Sequence, residues 1–345
     1  MGFVKQIMKY DIITIGDAFE DVFVMSTELK VRPDRSFDSG MGVSFELGDK
    51  IPLSEVDYEI GGSACNTAIG FKRLGLNSSL TAIIGDDTPA KRIRQKMEEE
   101  DVDTRGLRVD NKMQTNFSVI FRLEQGRTIF IYHGLKDYSS LRITKSTITD
   151  WIFLAPTGEH VDDLEGDIVS RVAERDCKLA WNPGALQIQK GAGHYRGFLK
   201  NVSVLILNKE EIVKFLGLPV RPQEDEAIKK MQRLGPKIVV VTAGKQGAKA
   251  YDGENLYSMG SFDKTHRVDS TGAGDSFAVG FLAKLILENW KTGEPKEGLM
   301  EESLRWGILN SNSVIQYVGA QKGLLTLSQL ESEAAKSRQL PIRIG

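Results

Sequence analysis

Short unbroken apolar runs recur along the chain and alternate with segments of helical spacing. Asp11–Gly16 is the first, and Leu80–Ile84, Trp151–Ala155, Lys178–Trp181, Val202–Leu207 and Lys237–Val241 follow. A strand buried on both faces reads as a continuous apolar run, the mark of a parallel sheet covered on both sides. Between the runs, Asp162–Arg175, Lys209–Leu216 and Glu224–Leu234 carry helical periodicity. This alternation predicts a doubly wound α/β sheet. A helix should open at Gly61-Gly62 and stop at Gly75. Thr88 and Pro89 read as the N-cap and first residue of the next, with Ile93 and Met97 inward. Later, Phe277, Phe281 and Leu285 form a stripe along Phe277–Leu287, Glu301–Tyr317 is helical, and a last helix starts at Ser328.

Two stretches break the alternation. Val22–Met25 and Ser54–Ile60 read as strands outside the main sheet, joined by a ragged loop from Ser26 to Lys50. Asn116–Leu123 and Thr128–Tyr132 flank Glu-Gln-Gly-Arg, a hairpin signal. The pattern predicts one small sheet, from residues 19–60 and 112–134, laid as a lid over a large α/β domain made of 1–18, 61–111 and 135–345. Lys291–Gly298 reads as a polar connector.

Composition narrows the classes. The chain has 345 residues, 41% of them hydrophobic, enough for one large domain or two modest ones. The 45 basic and 47 acidic residues nearly cancel, which argues against a general nucleic-acid or membrane-surface binder. Cys65 and Cys177 lack a CxxC partner or nearby His, and the four histidines lack metal-ligand spacing; the expectation is no zinc site and a reducing compartment. The opening residues lack the apolar stretch of a secretion signal, and no run approaches membrane-spanning length, so a cytoplasmic location is expected.

The chemistry concentrates at Asp269-Ser-Thr-Gly-Ala-Gly-Asp275-Ser-Phe, a glycine-bearing turn that runs into an apolar helix. Free N–H groups at a helix start, with the positive end of its dipole, make an anion site. Asp275 at the mouth of such a site would repel a phosphate, yet it is well placed to take a proton from an attacking hydroxyl. Asp, Ser and Thr also serve as ordinary helix caps. A second motif, Gly61-Gly62-x-x-x-Asn66, would expose bare backbone and an amide to a ligand's hydroxyl pair.

The two motifs stand in order about two hundred residues apart, with Ala68 and Leu74-Gly75 completing the first. The pair resembles the signatures of the ribokinase-like, PfkB-type carbohydrate kinases, and the resemblance runs from Gly16 to about Leu327. It implies a Rossmann-type α/β/α sandwich of nine or so strands with a small β-sheet lid, and ATP-dependent phosphorylation of a substrate hydroxyl. In that reading Asp275 is the general base, and the backbone of Gly272, Ala273, Gly274 and Asp275 is the anion hole. Asp21, Gly61, Gly62 and Asn66 would meet the acceptor. Asn208, Thr242, Gly244, Gly247 and Asn312 would border the nucleotide, whose adenine lies between the Gly260–Arg267 loop and the helix around Asn310–Val314. Glu211 would hold Mg2+ through water, although Asn208 and Glu211 also make a capping box. Asp269 and Thr271, with carbonyls of Val318–Gly323, would hold a monovalent cation, K+.

The chain departs from ribokinase itself at Phe19, where that enzyme has an amide, and at Pro156–Glu159, which lacks its acidic residue in register. Arg122 or Arg127 would meet an anionic acceptor or simply be solvated. An adenosine-type nucleoside kinase, with Phe19 stacked on a base, is the alternative of the same fold. A non-catalytic ligand-binding protein is the rival from another class, and intact Asp275 and Gly272–Gly274 argue against it. A nicotinamide dehydrogenase is excluded, because Gly16-Asp17-Ala18 opens no Gly-x-Gly-x-x-Gly turn. The partner is a small-molecule sugar or nucleoside, and the chain is a monomer or homodimer.

Overall fold

Six strands lie side by side as the parallel part of a nine-stranded sheet. In spatial order they are Ser78–Thr81, Met8–Ile15, Thr147–Leu154, Lys178–Trp181, Val204–Asn208 and Ile238–Thr242. The computed structural model describes residues 8–37, 40–123, 126–175, 177–218, 223–261, 267–291, 296–337 and 342–344. Neighbouring strand residues serve opposite cores. Val204 and Ile206 pack into one cluster with Phe277, Phe281 and Leu304, whereas Leu205 and Leu207 pack into the other with Leu164, Trp181 and Phe215. Burial on both faces is what made these strands read as unbroken apolar runs.

Three short strands extend the sheet antiparallel beyond Ile238–Thr242: Ala248–Tyr251, Leu256–Met259 and Ile342–Ile344. They correct the expectation of a parallel sheet. In Ala248–Tyr251 the two alanines are buried and Lys249 and Tyr251 half-buried, so four residues of alternating burial left no continuous run to read. The expected strand Leu80–Ile84 is also divided. Ser78–Thr81 joins the main sheet, while Ile83–Ile84 pairs with Arg108–Val109.

A second sheet of four strands has the order Gly126–Tyr132, Asn116–Leu123, Phe19–Met25 and Glu55–Gly61, with the middle pair parallel. The ragged loop expected between Ser26 and Lys50 contains a small hairpin, Val31–Pro33 with Met41–Val43. The turn residues 124–125, and 292–295 of the polar connector, lie outside the described residues.

The helices follow their local chemistry. Ser63–Arg73 ends as predicted at Gly75 (φ 83°), where the Gly75 N–H donates to the Lys72 carbonyl and the Leu76 N–H to that of Phe71. In Thr88–Glu99 the cap is Asp87 rather than Thr88, because the Asp87 carboxylate accepts from the Ala90 N–H at 3.0 Å. Ala273–Leu287 is buried on most of its circumference, not along one stripe, so it runs inside the protein between Ser63–Arg73 and Leu299–Val314. Among the described residues no helix is long and apolar enough to cross a membrane.

Candidate active site

The motif residues converge beyond the carboxyl ends of the parallel strands, where open α/β sheets place their ligands. Asp17 and Asp21 follow Met8–Ile15, Asn208 and Thr242 end their strands, and the helix Ala273–Leu287 starts in front of them.

Gly272 caps that helix in the left-handed conformation, φ 74°. A Cβ there would lie 2.3 Å from the Ala320 Cβ, so the turn seats directly on the loop around Ala320. The first helical bond runs from the Ser276 N–H to the Gly272 carbonyl at 2.9 Å. Among the described residues, the N–H groups of Gly272, Gly274 and Asp275 have no protein acceptor. The Ala273 N–H differs from expectation: it donates to the Ser270 carbonyl at 3.3 Å, which withdraws it from the anion cradle.

Asp275 stands half-buried beside these amides. Its Oδ2 accepts from Asn66 Nδ2 at 2.8 Å. Asn66 Oδ1 in turn accepts from Gln321 Nε2 at 2.9 Å, and the same Nε2 donates to the Ile60 carbonyl at 2.7 Å. Gln321 therefore orients the Asn66 amide so that its NH2 faces Asp275. From sequence the loop Val318–Gly323 is expected to offer its carbonyls; nothing in it marks the Gln321 side chain for this contact. Close packing keeps the pair in reach, since a Cβ on Gly70 would lie 2.7 Å from a Val279 methyl. Burial pushes the Asp275 carboxyl up, against the opposing pull of hydrogen bonds with Asn66 and Ser63.

The double glycine has a packing role that the sequence does not announce. A Cβ on Gly61 would lie 2.0 Å from Asp21 Oδ2, and one on Gly62 2.4 Å from the Asp17 carbonyl. These glycines make room for the protein's own Asp21 and the chain at Asp17. Asp21 Oδ1 accepts from Ser118 Oγ at 2.6 Å, and Asp17 accepts from the Tyr138 hydroxyl. Burial pushes up the thiol of Cys65, in the first turn of Ser63–Arg73, and Asp21, Asp17 and Asp275 all act on it electrostatically in the same direction.

Burial pushes the carboxyls of Asp17 and Asp21 each up to about 6. The fold thus favours their protonated forms. That stabilisation is fullest below the ordinary carboxylate value and is lost as pH rises through about 6. For Asp17 the full effect is about 3 kcal/mol. The melting temperature of the wild type relative to Asp17→Asn should therefore fall on going from about pH 4 to about pH 7, as read by thermal unfolding; a parallel pair of profiles would refute this.

On the other side of Gly274, a cavity of about 140 Å3 is bordered by Thr242, Gly244, Gly274, Phe277 and Asn312. Asn312 Oδ1 accepts from Ser261 Oγ at 3.4 Å, but its buried Nδ2 has no partner among the described residues. Gly244 (φ 54°) is open, whereas a Cβ on Gly247 would lie 1.9 Å from the Met259 carbonyl; Gly247 lets the chain enter its strand close beside Leu256–Met259. Of the expected adenine loop, residues 262–266 lie outside the described residues. Asn208 and Glu211 form the capping box: Asn208 Oδ1 accepts from the Glu210 and Glu211 N–H groups, and Glu211 Oε2 from the Asn208 N–H at 2.8 Å. Among the described residues Glu211 Oε1 has no protein partner, and burial pushes this carboxyl up. No group of three or more His, Cys, Asp or Glu is arranged for a metal among the described residues.

Asp269 is a hub. Its Oδ1 accepts from the Thr271 N–H at 3.0 Å, Thr271 Oγ1 at 2.8 Å and Arg127 Nη1 at 2.9 Å, and its Oδ2 from the Gly319 N–H at 3.1 Å.

Residues 42–327 match the family described as pfkB family carbohydrate kinase. The chain is 26% identical to an ATP-dependent 6-phosphofructokinase of Thermoanaerobacterium thermosaccharolyticum, covering 94% of each chain. It is 24% identical to a nucleoside kinase of Methanocaldococcus jannaschii, over 84% of this chain and 89% of that one. Among solved structures, Arabidopsis thaliana ribokinase complexed with ribose and ATP superposes with a TM-score of 0.76 at 19% identity, over 95% of this chain and 99% of that one. The chain belongs to the PfkB family of carbohydrate kinases, phosphotransferases with an alcohol group as acceptor, and has their ribokinase-like α/β fold.

Proposed function

We propose that the protein transfers the γ-phosphoryl group of ATP to a hydroxyl of a neutral sugar or sugar-like polyol. The observation that carries this reading is the position of Asp275. It stands beside unbonded amides of Gly272 and Gly274 and is held by Asn66. Asp275 takes the proton of the attacking hydroxyl, and the amides meet the charge that grows on the transferring group. Phosphoryl transfer asks the protein mainly for positioning and electrostatics. Asn312 Nδ2, which has no partner among the described residues, and the open backbone at Gly244 suit a nucleotide base and its phosphates. Mg2+, which keeps several waters and takes few protein ligands, would neutralise phosphate charge there, with Glu211 Oε1 holding it through water.

An acceptor held against Asp275 would lie in the field of three carboxylates, because Asp17, Asp21 and Asp275 all act on Cys65 and Asp275 acts on Asp21. Two arginines of the small sheet are already paired, Arg122 with Glu55 and Arg127 with Asp269. Acidic surroundings with these two arginines engaged favour a neutral polyol over a sugar acid or sugar phosphate. The small sheet, 19–60 with 112–134, acts as the lid over a large domain of 1–18, 61–111 and 135–345, and it excludes water during transfer. We place the protein in the cytoplasm, as a monomer or homodimer.

One observation favours a nucleoside as acceptor instead. Phe19 packs edge-on to His133, ring centroids 5.4 Å apart, two residues from Asp21, which offers an aromatic wall to a base. An ATP-consumption assay over neutral sugars, sugar phosphates and nucleosides tests both. Turnover confined to nucleosides would transfer the function to the second reading, and turnover of sugar phosphates alone would overturn the neutral-acceptor argument.

A further inference from the structure

We propose that Arg127 is a built-in cation for the Asp269 turn, standing where a monovalent metal ion would otherwise be needed, so that nucleotide binding does not depend on K+. The inference rests on the nucleotide site proposed above.

Asp269 lies three residues before the left-handed Gly272 of the anion cradle, and its side chain is 5% exposed. A buried carboxylate so close to unbonded amides opposes any anion they bind unless a positive charge balances it. Arg127 supplies that charge: its Nη1 donates to Asp269 Oδ1 at 2.9 Å and to Ser270 Oγ at 2.5 Å. The same atoms leave a metal ion little to hold. Oδ1 already accepts three donors, although a carboxylate oxygen offers two lone pairs. Oδ2 has spent one of its own on the Gly319 N–H. An ion that touched Asp269 would also sit against a guanidinium, and a hard cation wants several free oxygens. The residues present do not fit K+ while Arg127 is in place.

The charge comes from a distant part of the chain. Arg127 belongs to the edge strand Gly126–Tyr132 of the small sheet. A second tie runs in parallel, from Glu59 of the strand Glu55–Gly61 to Lys322 at 2.6 Å. When the small sheet covers the site it thus delivers the cation to the turn, and the cradle reaches its full affinity only then.

The test measures binding of the non-hydrolysable analogue AMP-PNP with Mg2+ by calorimetry, in choline chloride and in KCl at equal ionic strength. The wild type should bind equally in both. Arg127→Ala should bind about ten- to a hundredfold more weakly in choline, the loss of one charge-assisted bond. Millimolar guanidinium or K+ should restore part of that loss, whereas Arg127→Lys should stay close to the wild type and indifferent to K+. A wild type that tightens severalfold with K+ overturns the proposal without any variant. Unchanged affinity in Arg127→Ala, or a loss that neither guanidinium nor K+ restores, overturns it as well, because the arginine would then be idle or merely structural. Failure of the wild type to bind AMP-PNP at all would instead remove the proposed nucleotide site, and this inference with it.

Discussion

Asp275→Asn should lower kcat by about 10²- to 10⁴-fold, the usual contribution of a positioned base. The substitution keeps the shape and leaves Asn66 Nδ2 an oxygen to donate to, so the fold and the neighbouring amides should persist. Nucleotide affinity should hold or improve, because a negative charge is removed from beside the anion cradle. The pH profile gives an independent reading. Burial raises the Asp275 carboxyl, so activity should climb with pH above the ordinary carboxylate range as the base ionises. Steady-state kinetics on the acceptor found by the panel would decide. A kcat within about threefold of wild type would remove Asp275 from the chemistry.

The second large effect concerns the turn itself. Gly272→Ala should lower unfolding stability by about 2–4 kcal/mol, the sum of a left-handed backbone forced on alanine and an overpacked contact. The added methyl would overlap the Ala320 Cβ at 2.3 Å and push the turn off its loop, so AMP-PNP binding should weaken too. Gly274→Ala separates the two consequences. No atom lies within 4 Å of a Cβ built there, and the residue is already helical. Its stability should hold or rise slightly, while nucleotide binding falls because the methyl enters the cavity beside Asn312. Denaturant unfolding and calorimetry read both terms. Equal stability of Gly272→Ala and wild type would show that the Ala320 contact yields without cost.

Asp275 and its cradle could be read from nine consecutive residues, because a glycine turn, free N–H groups and a helix start are local matters. Asn66 was legible for the same reason, in the first turn after a double glycine. Its partner Gln321 was not, because the two are 255 residues apart and neither side chain declares the other. Arg127 reached the same turn across 142 residues, and as a hairpin arginine it read as solvated or ligand-bound. The double glycine was legible, but not its packing role: what fills the space above Gly61 is Asp21, a contact set by the pairing of Phe19–Met25 with Glu55–Gly61.

By itself the sequence determined the parallel strands, most of the helices with their stops, and the amide turn with its aspartate. Each depends on burial or backbone geometry within a few residues, which the order of side chains states directly. The tertiary structure alone decided that Gln321 aims Asn66 and that Arg127 pairs with Asp269. Those depend on which distant segments the sheet order brings face to face, and a hydrogen-bonding side chain carries no mark of the partner that the fold will hand it.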